Sequence, residues 1–102
     1  MYTLQILPTA EKDMENIIYY ISHKLRNKLA ATKLSECFIN GAKSILDFPY
    51  GAPAYSFVNL KYEYRSINIK NFLMFYTIDE DKKVITIMRV LYNKMDINHI
   101  LE

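Results

Sequence analysis

The sequence predicts an α+β fold in a single domain spanning residues 1–102. The order is an N-terminal strand, an antiparallel helical hairpin, then a three-stranded antiparallel meander. Three observations carry this expectation. A short, loosely alternating apolar opening ends at a proline. Two long segments then repeat their apolar residues at helical spacing. The last half concentrates β-branched and aromatic residues, broken by two short polar stretches.

The opening Y-T-L-Q-I-L, residues 2–7, is bounded by Pro8 and reads as the first strand. Thr9 is placed to cap the helix that follows, and Glu11, Asp13 and Glu15 suit its positive N-terminal end. Met14, Ile17, Ile18, Ile21 and Leu25 form one apolar face, and the helix should stop near Arg26 and Asn27. A second stripe runs through Ala30, Leu34, Cys37, Phe38, Gly41, Ala42 and Ile45. Its small residues Gly41 and Ala42 would let another element approach closely. Pro49, Gly51 and Pro53 end that helix, so two helices with a short connector make a hairpin.

Residues 60–69, 72–79 and 84–92 read as strands, with Lys70-Asn71 and D-E-D-K-K as the turns. The tail D-I-N-H-I-L-E can form a last helical turn with Ile97, Ile100 and Leu101 on one side.

Composition narrows the function classes. Thirteen basic residues against eleven acidic ones permit contact with nucleic acid without demanding it. The one cysteine, Cys37, rules out an intrachain disulfide. It lies in a helical stripe with no histidine near it in sequence, which suits a structural thiol. With no signal-like start, this usage points to the cytoplasm. The longest apolar runs, such as F-L-M-F-Y, are too short to span a bilayer. No metal-ligand spacing, phosphate-cradling glycine loop or Ser/His/Asp set appears, so no cofactor or metal is expected.

Two arginines interrupt the strands: Arg65 within Y-E-Y-R-S-I-N-I and Arg89 within V-I-T-I-M-R-V-L-Y. Turn length decides which way they point, because side chains alternate along a strand. A two-residue turn at Lys70-Asn71 sets Arg65 opposite Tyr76. An even-length second loop then pairs Tyr76 with Ile87 and Met74 with Arg89, so both arginines share a face. An odd-length loop sends Arg89 to the other face. The even register is preferred, because it gathers Ile67, Ile69, Met74, Ile85, Ile87 and Leu91 on one side. Arg65, Tyr76 and Arg89 would then cluster, with Tyr92 and Lys94 just downstream, as a hold for phosphate oxygens or an acidic peptide. The plainer reading lays each arginine stem over apolar neighbours with its head in water or on a carboxylate. The opposite face carries Leu73, Phe75, Val84, Met88 and Val90. One hairpin cannot easily cover both faces, so a partner is expected on the second.

Nine tyrosines are many for this length. Tyr62, Tyr64, Phe72, Phe75 and Tyr76 could stack bases, but a core with amphipathic edges explains them better. Tyr19 and Tyr20 flank the stripe of the first helix, where boundary packing with a wet hydroxyl is the simpler role.

The chain resembles toxins of the RelE/ParE superfamily from bacterial type II toxin–antitoxin modules. The resemblance rests on the opening strand before P-T-A-E-K-D-M-E-N-I-I-Y-Y-I, the helix end L-D-F-P-Y-G, Tyr64-Arg65, N-F-L-M-F-Y and V-I-T-I-M-R-V-L-Y-N-K-M-D. It covers nearly the whole length and implies a helical hairpin packed on an antiparallel sheet. It also implies a cognate antitoxin whose C-terminal segment wraps the toxin. RelE-like members cut messenger RNA on the ribosome, whereas ParE-like members poison DNA gyrase. The ending R-V-L-Y-N-K-M-D-I-N-H-I-L is closer to the ParE branch.

Each target asks for different chemistry. RNA cleavage through the 2′-hydroxyl needs a proton acceptor, a proton donor and positive charge at the phosphate. The candidates are Arg65 and Arg89 for charge, with Tyr92, Lys94 or His99 for proton transfer. His23, near the end of the first helix, reads as solvated, and Glu63 as a solvent-facing strand residue. Gyrase inhibition needs only a binding surface. Tyr64, Arg65, Tyr76, Arg89 and Tyr92 are the candidates for contact with target or antitoxin, together with the segment from Tyr92 to Glu102.

Overall fold

A computed structural model describes residues 1–54 and 62–101. Strand β1 spans Thr3–Ile6, helix α1 Pro8–Tyr19 and helix α2 Lys28–Asp47. Strands β2, β3 and β4 span Arg65–Ile69, Phe72–Asp79 and Val84–Tyr92, and a short helix α3 spans Ile97–Leu101. The expected strand-hairpin-meander order is therefore present. The first meander strand is shorter than expected: Tyr62 to Tyr64 precede it, and residues 60 and 61 lie outside the described residues.

Helix α1 begins with Pro8 at its first position, where the missing N–H has no helical partner to lose. Thr9 is not its cap, as the sequence suggested. Leu7 holds that position without a side-chain cap, and the Thr9 hydroxyl instead donates to the Met88 carbonyl at 3.1 Å. The helix runs on through a π-helical turn, Tyr20–Lys24. That wider turn rotates Leu25 off the apolar stripe, leaving it 58% exposed rather than buried as expected. Arg26 then takes a left-handed φ of 51°, and the Asn27 side chain caps α2 by accepting from the Ala30 N–H at 3.0 Å. Helix α2 buries Ala31, Leu34, Phe38 and Ile45. At Gly41 an added Cβ would lie 2.5 Å from Ile69 Cδ1 and 3.2 Å from Ile67 Cδ1, so the missing side chain is what lets β2 approach.

The sheet order is β1-β4-β3-β2, with β1 parallel to β4 and the other pairs antiparallel. The register follows the sequence argument as far as Ile87: Arg65 pairs with Tyr76 and Tyr76 with Ile87. A β-bulge then absorbs Met88, so Phe75 pairs with Arg89 and Met74 with Val90. The bulge reverses the facing of everything downstream. Val90 goes to the helix side, Leu91 goes to the far side, and Arg89 leaves the sheet opposite Arg65.

Both faces of the sheet are packed. On the helix side, Met74, Tyr76, Ile85, Ile87 and Val90 meet Ala10, Leu34, Phe38 and Ile45. On the far side, Tyr64, Phe75 and Leu91 meet Ile97 and Leu101 of α3, with Leu73, Met88 and Ile100 alongside. The expectation that a partner must cover the second face is thus corrected. The chain's own C-terminal turn lies there, because Ile97, Ile100 and Leu101 share one side of it. Of the aromatic residues in and before the strands, Tyr64, Phe75 and Tyr76 are buried core, whereas Tyr62 is exposed.

Candidate functional site

Beyond Ile6 the strand β1 stops, but β4 continues, so its outer backbone groups need other partners. Helix α1 supplies them. Thr9 donates to the Met88 carbonyl, and Asp13 Oδ2 accepts the Val90 N–H at 3.0 Å. The same carboxylate takes both branches of Arg89, Nε at 2.7 Å and Nη2 at 3.0 Å. This bidentate bond with Asp13 holds the guanidinium still more firmly in its charged form, and the nearby Tyr64 phenol adds to that. Arg89 is therefore a structural clamp. Asp13 escaped the sequence reading because an acid early in a helix already had an explanation. The signal was its i,i+4 spacing from Thr9, directly after a strand too short to cover its neighbour.

Arg65 sits on the other face, at the start of β2. Its Nη1 donates to the Ala52 carbonyl at 2.5 Å and its Nη2 to Glu63 at 3.2 Å. Its carbon Cζ lies 4.9 Å from the centre of the Tyr50 ring. Glu63 is thus an exposed ion-pair partner, not merely a solvent-facing residue. The Tyr50 hydroxyl donates to Glu80 at 2.5 Å, and the Tyr2 hydroxyl reaches both oxygens of Glu80 at 2.9 and 3.1 Å. The Lys83 ammonium donates to the same carboxylate. Hydrogen bonds from Lys83, Tyr50 and Tyr2 hold the Glu80 pKa down to about 2. The bond to Glu80 pushes Tyr50 up to about 12. Glu80 lies in D-E-D-K-K, which the sequence marks only as a turn.

The other sequence candidates are dispersed. Tyr76 is fully buried and donates to the Pro49 carbonyl at 2.7 Å. Burial pushes its phenol up, and the neighbouring Arg65 partly offsets this. Tyr64 is buried against Phe75 on the far face, its phenol also raised by burial. Tyr92 is half-exposed with its ring edge-on to Phe72. Lys94 is exposed in the turn after β4, and His99 is exposed on α3. The single anion pocket expected from Arg65, Tyr76 and Arg89 is contradicted. The sheet separates the two arginines, and each already holds a carboxylate.

A further apolar furrow runs between the helices. One part, about 510 Å³, is lined by Met14, Ile18, Phe38 and Ile39 with Glu11 and Glu15 beside it. Tyr19 and His23 stack at its end with ring centres 4.2 Å apart, and Ser22 Oγ lies 2.7 Å from His23 Nδ1. His23 is therefore partnered, though exposed as expected. Among the described residues no helix is long and apolar enough to cross a membrane, and no cluster suited to a metal occurs.

This architecture is that of the toxins of bacterial toxin–antitoxin pairs. It is similar to a chain of the chromosomal ParDE system from P. aeruginosa, with a TM-score of 0.73 and 20% identity over 90% of this chain and 96% of that one. It is also similar to a chain of the intact E. coli RelBE toxin–antitoxin complex, with a TM-score of 0.58 and 12% identity over 93% of this chain and 100% of that one. A chain of the RelBE2 complex from Mycobacterium tuberculosis gives 0.55 at 20% identity, covering 89% and 96%. No curated protein matches significantly. The family described as ParE toxin of type II toxin-antitoxin system, parDE, matches residues 4–97, and the chain belongs to it.

Proposed function

We propose that this toxin inhibits DNA gyrase by binding it, and that a cognate antitoxin neutralises the toxin. The observation that carries this reading is the separation of Arg65 and Arg89. A site cleaving RNA needs convergent positive charge at one phosphate with proton carriers beside it. Here one guanidinium clamps α1 to β4 and the other lies on the opposite face; Tyr92 lines a shallow pocket with Asp13 and Arg89, but among the described residues neither Lys94 nor His99 hydrogen-bonds to either arginine. Inhibition by binding requires no such convergence. Family membership supports the same branch, and the neighbouring RelBE folds were solved as toxin–antitoxin complexes.

The target-facing surface in this reading is the sheet end where Arg65 meets Tyr50, together with the segment from Tyr92 onward. Tyr50 is exposed beside the guanidinium, and tyrosine and arginine are residue types that dominate binding hot spots. The test is graded expression in a bacterial host. Double-strand breaks and an SOS response with intact transcripts support gyrase as the target. Transcripts cut on translating ribosomes with intact DNA would remove it. Restoration of growth by co-expressing the small protein encoded in an adjoining reading frame tests the antitoxin.

A further inference from the structure

The network around Glu80 has more organisation than a surface ion pair requires. One carboxylate receives donors from three separate parts of the chain: Tyr2 ahead of β1, Tyr50 in the loop after α2, and Lys83 across its own turn. A carboxylate has about four lone-pair positions, so all three bonds are compatible. Lys83 alone would satisfy its charge. The two phenols come from 78 and 30 residues away in sequence, and their bonds set position rather than charge.

Tyr50 is the consequential partner. Its ring is 53% exposed, so little packing fixes it, yet its face supports the Arg65 guanidinium. Arg65 is held from its other sides by the Ala52 carbonyl and by Glu63, which is itself exposed. The hydroxyl bond to Glu80 is thus the one polar link between the ring under Arg65 and the turn joining β3 to β4 that the described residues display.

We propose that Glu80 is a positioning residue for the target-facing surface: through the Tyr50 hydroxyl it fixes the ring on which Arg65 rests, and so sets how Arg65 is presented. This rests on the reading that Arg65 contacts the target. Glu80 itself touches no target. The lowered pKa of Glu80 and the raised pKa of Tyr50 keep the bond in one protonation state across the physiological range.

A double-mutant cycle tests this. Tyr50→Phe keeps the ring and removes the hydroxyl, and Glu80→Ala removes the acceptor. Each is combined with Arg65→Ala in the full chain. The readouts are the amount of protein giving half-maximal growth inhibition, normalised by immunoblot, and the melting temperature. Each single variant is expected to require about three- to tenfold more protein, with no further loss when Arg65 is already absent. The shift in melting temperature should be alike in both backgrounds, which separates positioning from stability. The proposal is overturned if Glu80→Ala and Tyr50→Phe weaken the toxin equally with and without Arg65, or leave it unchanged while Arg65→Ala weakens it. It is also overturned if Arg65→Ala itself has no effect. Gyrase inhibition is read separately on purified enzyme. A chain that arrests growth without inhibiting gyrase loses the proposed target, while the cycle on growth still decides Glu80. A wild-type chain that inhibits neither overturns both.

Discussion

Asp13 on α1 and Arg89 on β4 close the sheet edge that β1 leaves open. The Arg89 Nε lies 2.7 Å from Asp13 Oδ2, and the same oxygen accepts the Val90 N–H at 3.0 Å. Replacing Asp13 by alanine leaves a half-buried guanidinium and a strand N–H without their acceptor. The expected cost is about 2–3 kcal/mol. Chemical denaturation of Asp13→Ala checks this, and Asp13→Ala with Arg89→Leu should recover part of the loss. A single variant within about 0.5 kcal/mol of wild type, the range of ordinary surface changes, contradicts the clamp.

Glu80 makes stability depend on acid in a defined window. Its pKa falls from an ordinary 4.5 to about 2 on folding. A depressed carboxylate contributes stability above the unfolded value and loses it as pH falls through the folded one. The melting-temperature gap between wild type and Glu80→Gln should therefore be full near neutrality and shrink as pH falls from about 4.5 towards 2. A gap that stays constant down to the acid limit would show that the carboxylate is not engaged in the fold.

Helix α3 covers the far face of the sheet with Ile97 and Leu101, each nearly fully buried. Leu101→Ala should cost about 2–3 kcal/mol from lost transfer energy and residual cavity. Removing the segment from Ile97 onward should expose Phe75 and Leu91 and raise binding of a hydrophobic dye. A truncated chain with unchanged dye binding would mean that α3 does not cover that face.

Gly41 sets the spacing between α2 and β2. Gly41→Ala gains up to about 1 kcal/mol of helix propensity but sets its Cβ 2.5 Å from Ile69 Cδ1, so the Ile69 side chain must shift. Overpacking of this kind costs about 1–3 kcal/mol, so the net effect should be a loss of about 1 kcal/mol. Gly41→Leu should be far worse. Thermal melts of the two variants decide it, and a stabilised Gly41→Leu would contradict the close approach.

Much of this fold was legible because local rules agreed with the packing. The proline after the first strand, the helical stripes and the two-residue turn at Lys70-Asn71 gave the element order and the Arg65–Tyr76 pairing. The four-residue turn from Glu80 to Lys83 also preserved the even register as far as Ile87. The bulge at Met88 was not legible. No glycine or other local mark distinguishes the residue it absorbs, and its cause lies in the tertiary structure around it. One extra residue was enough to exchange Val90 with Leu91 and to send Arg89 to the far face. The site was read less well for the same reason. Arg65 beside Tyr76 followed from alternation, but Asp13 and Glu80 acquire their roles from partners 76 and 30 or more residues distant. Each had an adequate local explanation, as a helix-start acid and a turn acid.

The central claim is inhibition of gyrase without chemistry by the toxin itself. Its most direct test is the ATP-driven supercoiling of relaxed plasmid by purified gyrase, with the full-length toxin titrated in. Loss of supercoiling and accumulation of broken plasmid, with messenger RNA left intact on translating ribosomes, is the predicted result. Undiminished supercoiling alongside ribosome-dependent cleavage of messenger RNA would contradict it.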